Sequence, residues 1–256
     1  MNSIMKKLQY TKVPSENNYQ KYREYIRVNS DYSCAYCTIT ESESPGATFN
    51  LDHFRPVKYF LHLKTDCNNL RYACPRCNSY KRDNWIPKEI GCINNCESCK
   101  TKICTRNIYR FIDCLKEEPN NFIEMDVSGE LKVINGSKPA IYTIKCLRLN
   151  RAQLIKLRSV RRFLELWRQE LLQMLEEVKN QIVDIELQFN EFNTIFSKGK
   201  FIKLKDEEQL LIEVAKIQFE MLFLQAHHSK DFIESELQRL EYISDMRLGS
   251  DTGQSL

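Results

Sequence analysis

Apolar residues recur at three-to-four spacing along most of the C-terminal part of the chain. Leu154, Leu157, Val160, Phe163, Leu164, Trp167, Leu171 and Leu175 fall on one stripe, which predicts a long amphipathic helix with Asn150 as its N-cap. Ser197, Gly199 and a small lysine-rich patch interrupt the pattern. A second long helix is predicted from about Asp206, with Leu210, Val214, Ile217, Met221 and Leu224 on its apolar side, and Phe232 to Met246 either continues it or packs back. Residues 121–135 alternate instead, FIEM and ELKVI around DVSG, as a strand pair does. Tyr19 to Val28 reads as a short helix. Residues 34–104 hold no sustained period but contain nine of the eleven cysteines and most of the turn formers. The expected class is therefore α+β: a small cysteine-stapled module followed by a mainly α-helical one. The divisions expected are a helical lead-in at 1–33, the cysteine module at 34–110, a β-hairpin and connecting segment at 111–148, and a helical module at 149–256.

Composition narrows the class. With 256 residues, 42% of them hydrophobic and 28% charged, the chain can bury a real core and is not a disordered polyampholyte. No uncharged apolar run approaches 18 residues, so no membrane span is expected. The start, MNSIMKKLQY, lacks the apolar core of a secretory signal, which makes the cytoplasm the expected compartment. The net charge of +4 conceals a polarity. Residues 145–168 carry eight Lys or Arg (Arg151, Arg158, Arg161 and Arg162 among them) against Glu165 alone, whereas residues 169–256 are acidic. That run reads either as a phosphate-contacting track or as a solvated helix face.

Reduced cytosolic thiols clustered at short spacing are metal ligands before they are disulfides. Cys34-Ala-Tyr-Cys37 and Cys74-Pro-Arg-Cys77 are two CxxC knuckles, each able to place two thiolates on one side of a zinc tetrahedron. Cys92, Cys96, Cys99 and Cys104 form a second cluster, a candidate for a second structural zinc; partial pairing with Cys67 or Cys114, or free thiols, is the alternative. His227 and His228, adjacent on a helix, point in different directions and are not read as a site.

Between and after the two knuckles stand LDHFRP, Asn69-Leu70, and then Cys77-Asn78-x-x-Lys81. The order CxxC, acid–His, Asn, CxxC, Asn-x-x-Lys over residues 34–83 resembles an HNH endonuclease of the variant whose third motif residue is asparagine. The resemblance implies a ββα-metal fold with His53 on the first strand and Asn78 on the helix. It implies that His53 takes a proton from water, that Asp52 and Asn78 offer oxygens to Mg²⁺ or Mn²⁺, and that Asn69 fixes the loop that aims His53. Oxygen rather than nitrogen donors favour those hard cations over zinc or nickel. Lys81 and Arg55 are expected at substrate phosphates. The partner implied is DNA. Extra cysteines and a helical C-terminal module resemble the nuclease subunits of Septu-type anti-phage defence systems, which implies an ATPase partner docked on the helices; a homodimer through them is the alternative. Two other readings stay open: a stand-alone restriction- or homing-type endonuclease, and a zinc-stapled nucleic-acid-binding protein without catalysis.

Overall fold

The computed structural model describes residues 5, 7–85, 107–197 and 206–248. The Cys92, Cys96, Cys99 and Cys104 cluster lies outside the described residues. The architecture is mixed α+β, with two small antiparallel sheets and a helical C-terminal region. Two compact units divide it: the first runs through Phe163 and takes in the chain again from Ser244, and the second is Leu164–Ile243. The division falls inside a helix rather than near residue 148, because the first three turns of that helix are bonded into the N-terminal core.

In the first unit, a 3-10 turn at Tyr19–Tyr22, capped by the Asn18 side chain, leads into α1, Arg23–Asn29. Strands β1 (Asn50–His53) and β2 (Leu70–Ala73) pair antiparallel, with Asp52 opposite Arg71 and His53 opposite Leu70. Helix α2, Pro75–Lys81, follows β2 directly. Its start is dictated locally: proline fills the first turn, where an N–H would be unpaired anyway, and Cys74 caps it by accepting from the Cys77 N–H at 3.5 Å. The first knuckle docks on the sheet through Ala35 N–H to the Tyr72 carbonyl at 2.8 Å. Thus residues 50–81 form a ββα unit whose core includes Tyr36, Phe49, Leu70 and Ile26, all buried. The lead-in and residues 110–149 share that core through Leu8, Ile112 and Leu149, so residues 1–33 and 111–148 are not separate modules.

Two ion pairs are buried beneath the sheet, Arg71 with Asp113 and Arg110 with Glu117 at 2.7 Å. Strands β3 (Ile123–Met125) and β4 (Leu131–Val133) make the expected hairpin, and α3 (Lys138–Cys146) opens on a Ser137 cap. Asn150 is not a helix cap. Its amide clamps both backbone groups of Leu131, at 2.8 and 2.9 Å, and α4 spans Ala152–Ser197. Gly129, at φ +89°, lets the hairpin turn lie against α4: an added Cβ would sit 2.6 Å from the Ile155 carbonyl oxygen.

The second unit pairs the rest of α4 with α5 (Asp206–Leu248, one unbroken helix) as far as Ile243. Leu171 and Leu175 pack with Ile233, Leu237 and Leu240, and Phe189 and Phe192 meet Phe219. The apolar stripe named from periodicity does not face this core: Leu210, Val214, Ile217, Met221 and Leu224 are between 42% and 68% exposed. Helix α5 carries two apolar faces, and Phe219, Ala226, Ile233 and Leu240, spaced by seven, form the inner one. On α4 the expected stripe is likewise split, with Leu154, Leu171 and Leu175 buried and Val160, Phe163 and Trp167 exposed.

Candidate metal centre and catalytic cleft

The four knuckle cysteines come together. The sulfurs of Cys34, Cys37, Cys74 and Cys77 lie within 4.8 Å of one another, all in buried residues, and Cys37 and Cys74 are 3.7 Å apart. Zinc–sulfur bonds of about 2.3 Å in a tetrahedron put ligand sulfurs about 3.8 Å apart, so the cluster fits structural zinc. Arg151 aims Nη2 at the Cys37 sulfur from 3.8 Å, a cation beside a site whose thiolates outweigh the charge of one Zn²⁺.

An open cleft of about 350 Å³ brings together Asp52, His53 and Asn78, together with Ser79, Arg82 and Asp83. Strand β1 supplies the first pair and α2 the third. His53 bonds through Nε2 to the Lys64 carbonyl at 2.9 Å, and its ring packs on Tyr19 with centroids 4.8 Å apart. A carbonyl only accepts, so Nε2 carries the hydrogen, and the neutral ring then presents the Nδ1 lone pair. Asn69 is buried. Its Oδ1 accepts from the Arg55 N–H at 2.8 Å and its Nδ2 donates to the Arg55 carbonyl at 3.0 Å, which pins the chain as it leaves β1.

Asp52 is 6% exposed and doubly held. Tyr36, the residue inside the first knuckle, donates its hydroxyl to Oδ2. Burial and the Asp52 charge raise the Tyr36 pKa far above the ordinary tyrosine value, so the phenol stays a donor. Lys81 donates to Asp52 Oδ1 at 3.2 Å and to the His53 carbonyl at 2.8 Å. Lys81, expected at a phosphate, has no exposed surface and is instead the counter-ion of Asp52. Burial pulls its ammonium below the ordinary lysine value, against the pull of Asp52. Arg55, also expected at a phosphate, is buried with its guanidinium over Phe60.

The arginines of the basic run are likewise turned to protein. Arg158 is buried and bonds the Gly129 and Leu149 carbonyls at 2.7 and 2.9 Å. Arg161 pairs with Glu43 and donates to the Thr38 carbonyl at 2.9 Å, and Arg162 reaches the Asp126 carbonyl at 3.3 Å. Apart from Arg151 at the cysteines, they strap α4 to the knuckle loop and the β3–β4 turn rather than lining an open track. The physical reason is that three-to-four spacing puts both the leucines and these arginines toward the core side of the first turns.

The donor set at the cleft suits a hard cation. Asp52 carboxylate oxygens retain lone pairs beyond the two bonds they accept, the Asn78 carboxamide makes no hydrogen bond among the described residues, and Mg²⁺ takes one or two protein oxygens with water completing its shell. Residues 34–84 match the family model described as HNH endonuclease. This segment is an HNH endonuclease domain. Searches of curated proteins and of solved structures returned no match. An HNH domain supports a nuclease function and DNA as its substrate. No helix among the described residues is long and apolar enough to cross a membrane.

Several residues at the HNH site were not foreseen. Tyr36 stands inside a knuckle, and a buried phenol needs an acceptor, which was the available signal. Arg82 and Asp83 follow Lys81 directly, where α2 must end. The Lys64 carbonyl that orients His53 is a backbone group and has no signature in side-chain identity.

Proposed function

We propose that the chain is a metal-dependent endonuclease that hydrolyses DNA phosphodiesters with His53 as general base. The observation that carries the reading is the bond from His53 Nε2 to the Lys64 carbonyl, which commits one ring nitrogen and leaves Nδ1 as the base of a residue that lines the cleft with Asp52 and Asn78. Nδ1 takes a proton from the attacking water, work that suits an imidazole at neutral pH. Asn69 holds the Arg55 backbone, and Lys64 and Tyr19 hold the ring, so the base is oriented before substrate arrives. Asp52 and Asn78 would hold Mg²⁺ or Mn²⁺, with Tyr36 and Lys81 fixing the carboxylate. A bound cation neutralises the scissile phosphate and the departing oxygen.

The test is plasmid cleavage by the zinc-replete chain with Mg²⁺, Mn²⁺ or EDTA, beside His53→Ala. Cleavage that needs the cation and falls at least about 10²-fold in the variant supports the reading. A variant that cuts like the wild type removes His53 from the chemistry.

The partner in this reading docks on the second unit. The exposed stripe of α5, Leu210, Val214, Ile217, Met221 and Leu224, is spaced four, three, four, three, the seam of a coiled coil. Exposed Glu213 and Glu220 flank it. We infer a partner helix with basic residues beside its own apolar seam; the resemblance to defence nucleases makes that partner an ATPase. Light scattering on the chain alone separates this from self-association: a monomer is expected, and a dimer lost on Val214→Glu would assign the seam to a second copy.

A further inference from the structure

The cleft holds a cation that the mechanism above leaves unused. Arg82 caps α2, donating its N–H to the Asn78 carbonyl at 3.0 Å, and lines the cleft with Asp52, His53 and Asn78. Its backbone stands at φ 45°, ψ −137°. Glycine enters that conformation freely, and a residue with a Cβ enters it at a cost. Helix ends that turn into positive φ ordinarily carry glycine for this reason. Here the chain keeps an arginine instead.

That arginine is exposed and makes no ion pair among the described residues. The other candidate cations near the site are committed, Lys81 to Asp52 and Arg55 over Phe60. Two carboxylates line the cleft. Asp52 is held by Lys81 and Tyr36, and Asp83 lies exposed next to Arg82 without an ion pair to it. An exposed guanidinium beside a general base and two oxygen donors is matched to a phosphate, which its planar fork can bind through two parallel hydrogen bonds.

We propose that Arg82 contacts a phosphate of the DNA strand lying in the cleft, and that the strained backbone at this position is retained because it aims the side chain there. The inference rests on the nuclease reading and names the contact that Lys81 cannot make.

The experiment compares the full zinc-replete chain with Arg82→Gly and Arg82→Lys in three measurements: thermal midpoint, affinity for a short DNA duplex without added divalent cation over a salt series, and single-turnover cleavage with Mg²⁺. Arg82→Gly should melt above the wild type. It should bind the duplex more weakly, with a log–log salt slope shallower by about one, the signature of one lost phosphate contact. It should cut about 10²-fold more slowly, as removal of one preorganised donor does. Arg82→Lys should keep the salt slope and the wild-type midpoint but lose part of the rate, because it keeps the charge and the strain and loses the fork. If Arg82→Gly keeps both slope and rate, the proposal is overturned, whatever its melting temperature. If the wild type cuts nothing and the slope still drops, the nuclease reading fails while Arg82 stands as a DNA contact.

Discussion

Replacing Lys81 by Met tests whether the buried carboxylate of Asp52 is kept for a cation. The ammonium has no exposed surface and lies 3.0 Å from one Asp52 oxygen, 3.2 Å from the other and 2.8 Å from the His53 carbonyl. Met fills similar volume with no charge, so the variant loses the pair without opening a large cavity. Removing one partner of a buried ion pair strands the other, at about 3–5 kcal/mol. For a unit of this size that is roughly 6–20 °C in Tm, at about 2–4 °C per kcal/mol. The added variant Asp52→Asn/Lys81→Met removes both charges and should recover most of the loss. Divalent cation then supplies the second arm. With the ammonium gone, Asp52 faces Mg²⁺ or Mn²⁺ without competition, and saturation at about 100 times Kd returns about 2.7 kcal/mol. Melting each protein with and without Mn²⁺ should show a rise for Lys81→Met larger than for wild type, and none for the double variant. Equal shifts in all three would remove Asp52 from the metal site, and a double variant as unstable as the single would remove the ion pair as the cause.

Gly129→Ala should cost about 2–4 kcal/mol by urea unfolding, since its Cβ meets the Ile155 oxygen at 2.6 Å and the Ser159 nitrogen at 2.9 Å while φ is +89°; Gly136→Ala, with open space around it, should cost only its backbone strain. Cys37→Ser/Cys74→Ser should lower bound zinc by one ion per chain and unfold the HNH domain, while helical circular dichroism from Leu164–Ile243, which has its own apolar core, persists. The remaining prediction concerns pH. Burial raises the Glu43 carboxyl, but Arg161 and the Thr40 bonds outweigh it and hold the group below the ordinary 4.5. A depressed folded pKa gives stability that is present above 4.5 and lost as pH falls through the folded value. Wild type should therefore unfold at higher urea than Arg161→Met near neutral pH, with the gap closing in acid; a gap that stays constant would remove the ion pair as the strap between α4 and the knuckle loop.

What was legible in the sequence is the part set by local chemistry. Two CxxC knuckles name their own geometry, and Asp52, His53 and Asn78 stand at spacings that bring them to one cleft once β1, β2 and α2 form. The long-range commitments of cations were not legible. Lys81 and Arg158 look like surface charges by type, yet each is buried because acceptors far along the chain, Asp52 and the Gly129 carbonyl, lie where α2 and α4 pack. A charged residue can be assigned to substrate only after its internal acceptors are known, and sequence spacing does not give those.

The same reasoning applies to the apolar positions of α5. Three-to-four spacing reports an apolar face but not what covers it, and this helix has two such faces. Phe219, Ala226, Ile233 and Leu240 recur every seven residues against α4, while Leu210, Val214, Ile217, Met221 and Leu224 form a second seam that stays open. Both patterns keep heptad spacing, so periodicity alone does not say which face an internal partner covers. In the reading proposed above, the exposed seam is the surface offered to a partner helix, and the zinc-stapled unit carries the chemistry.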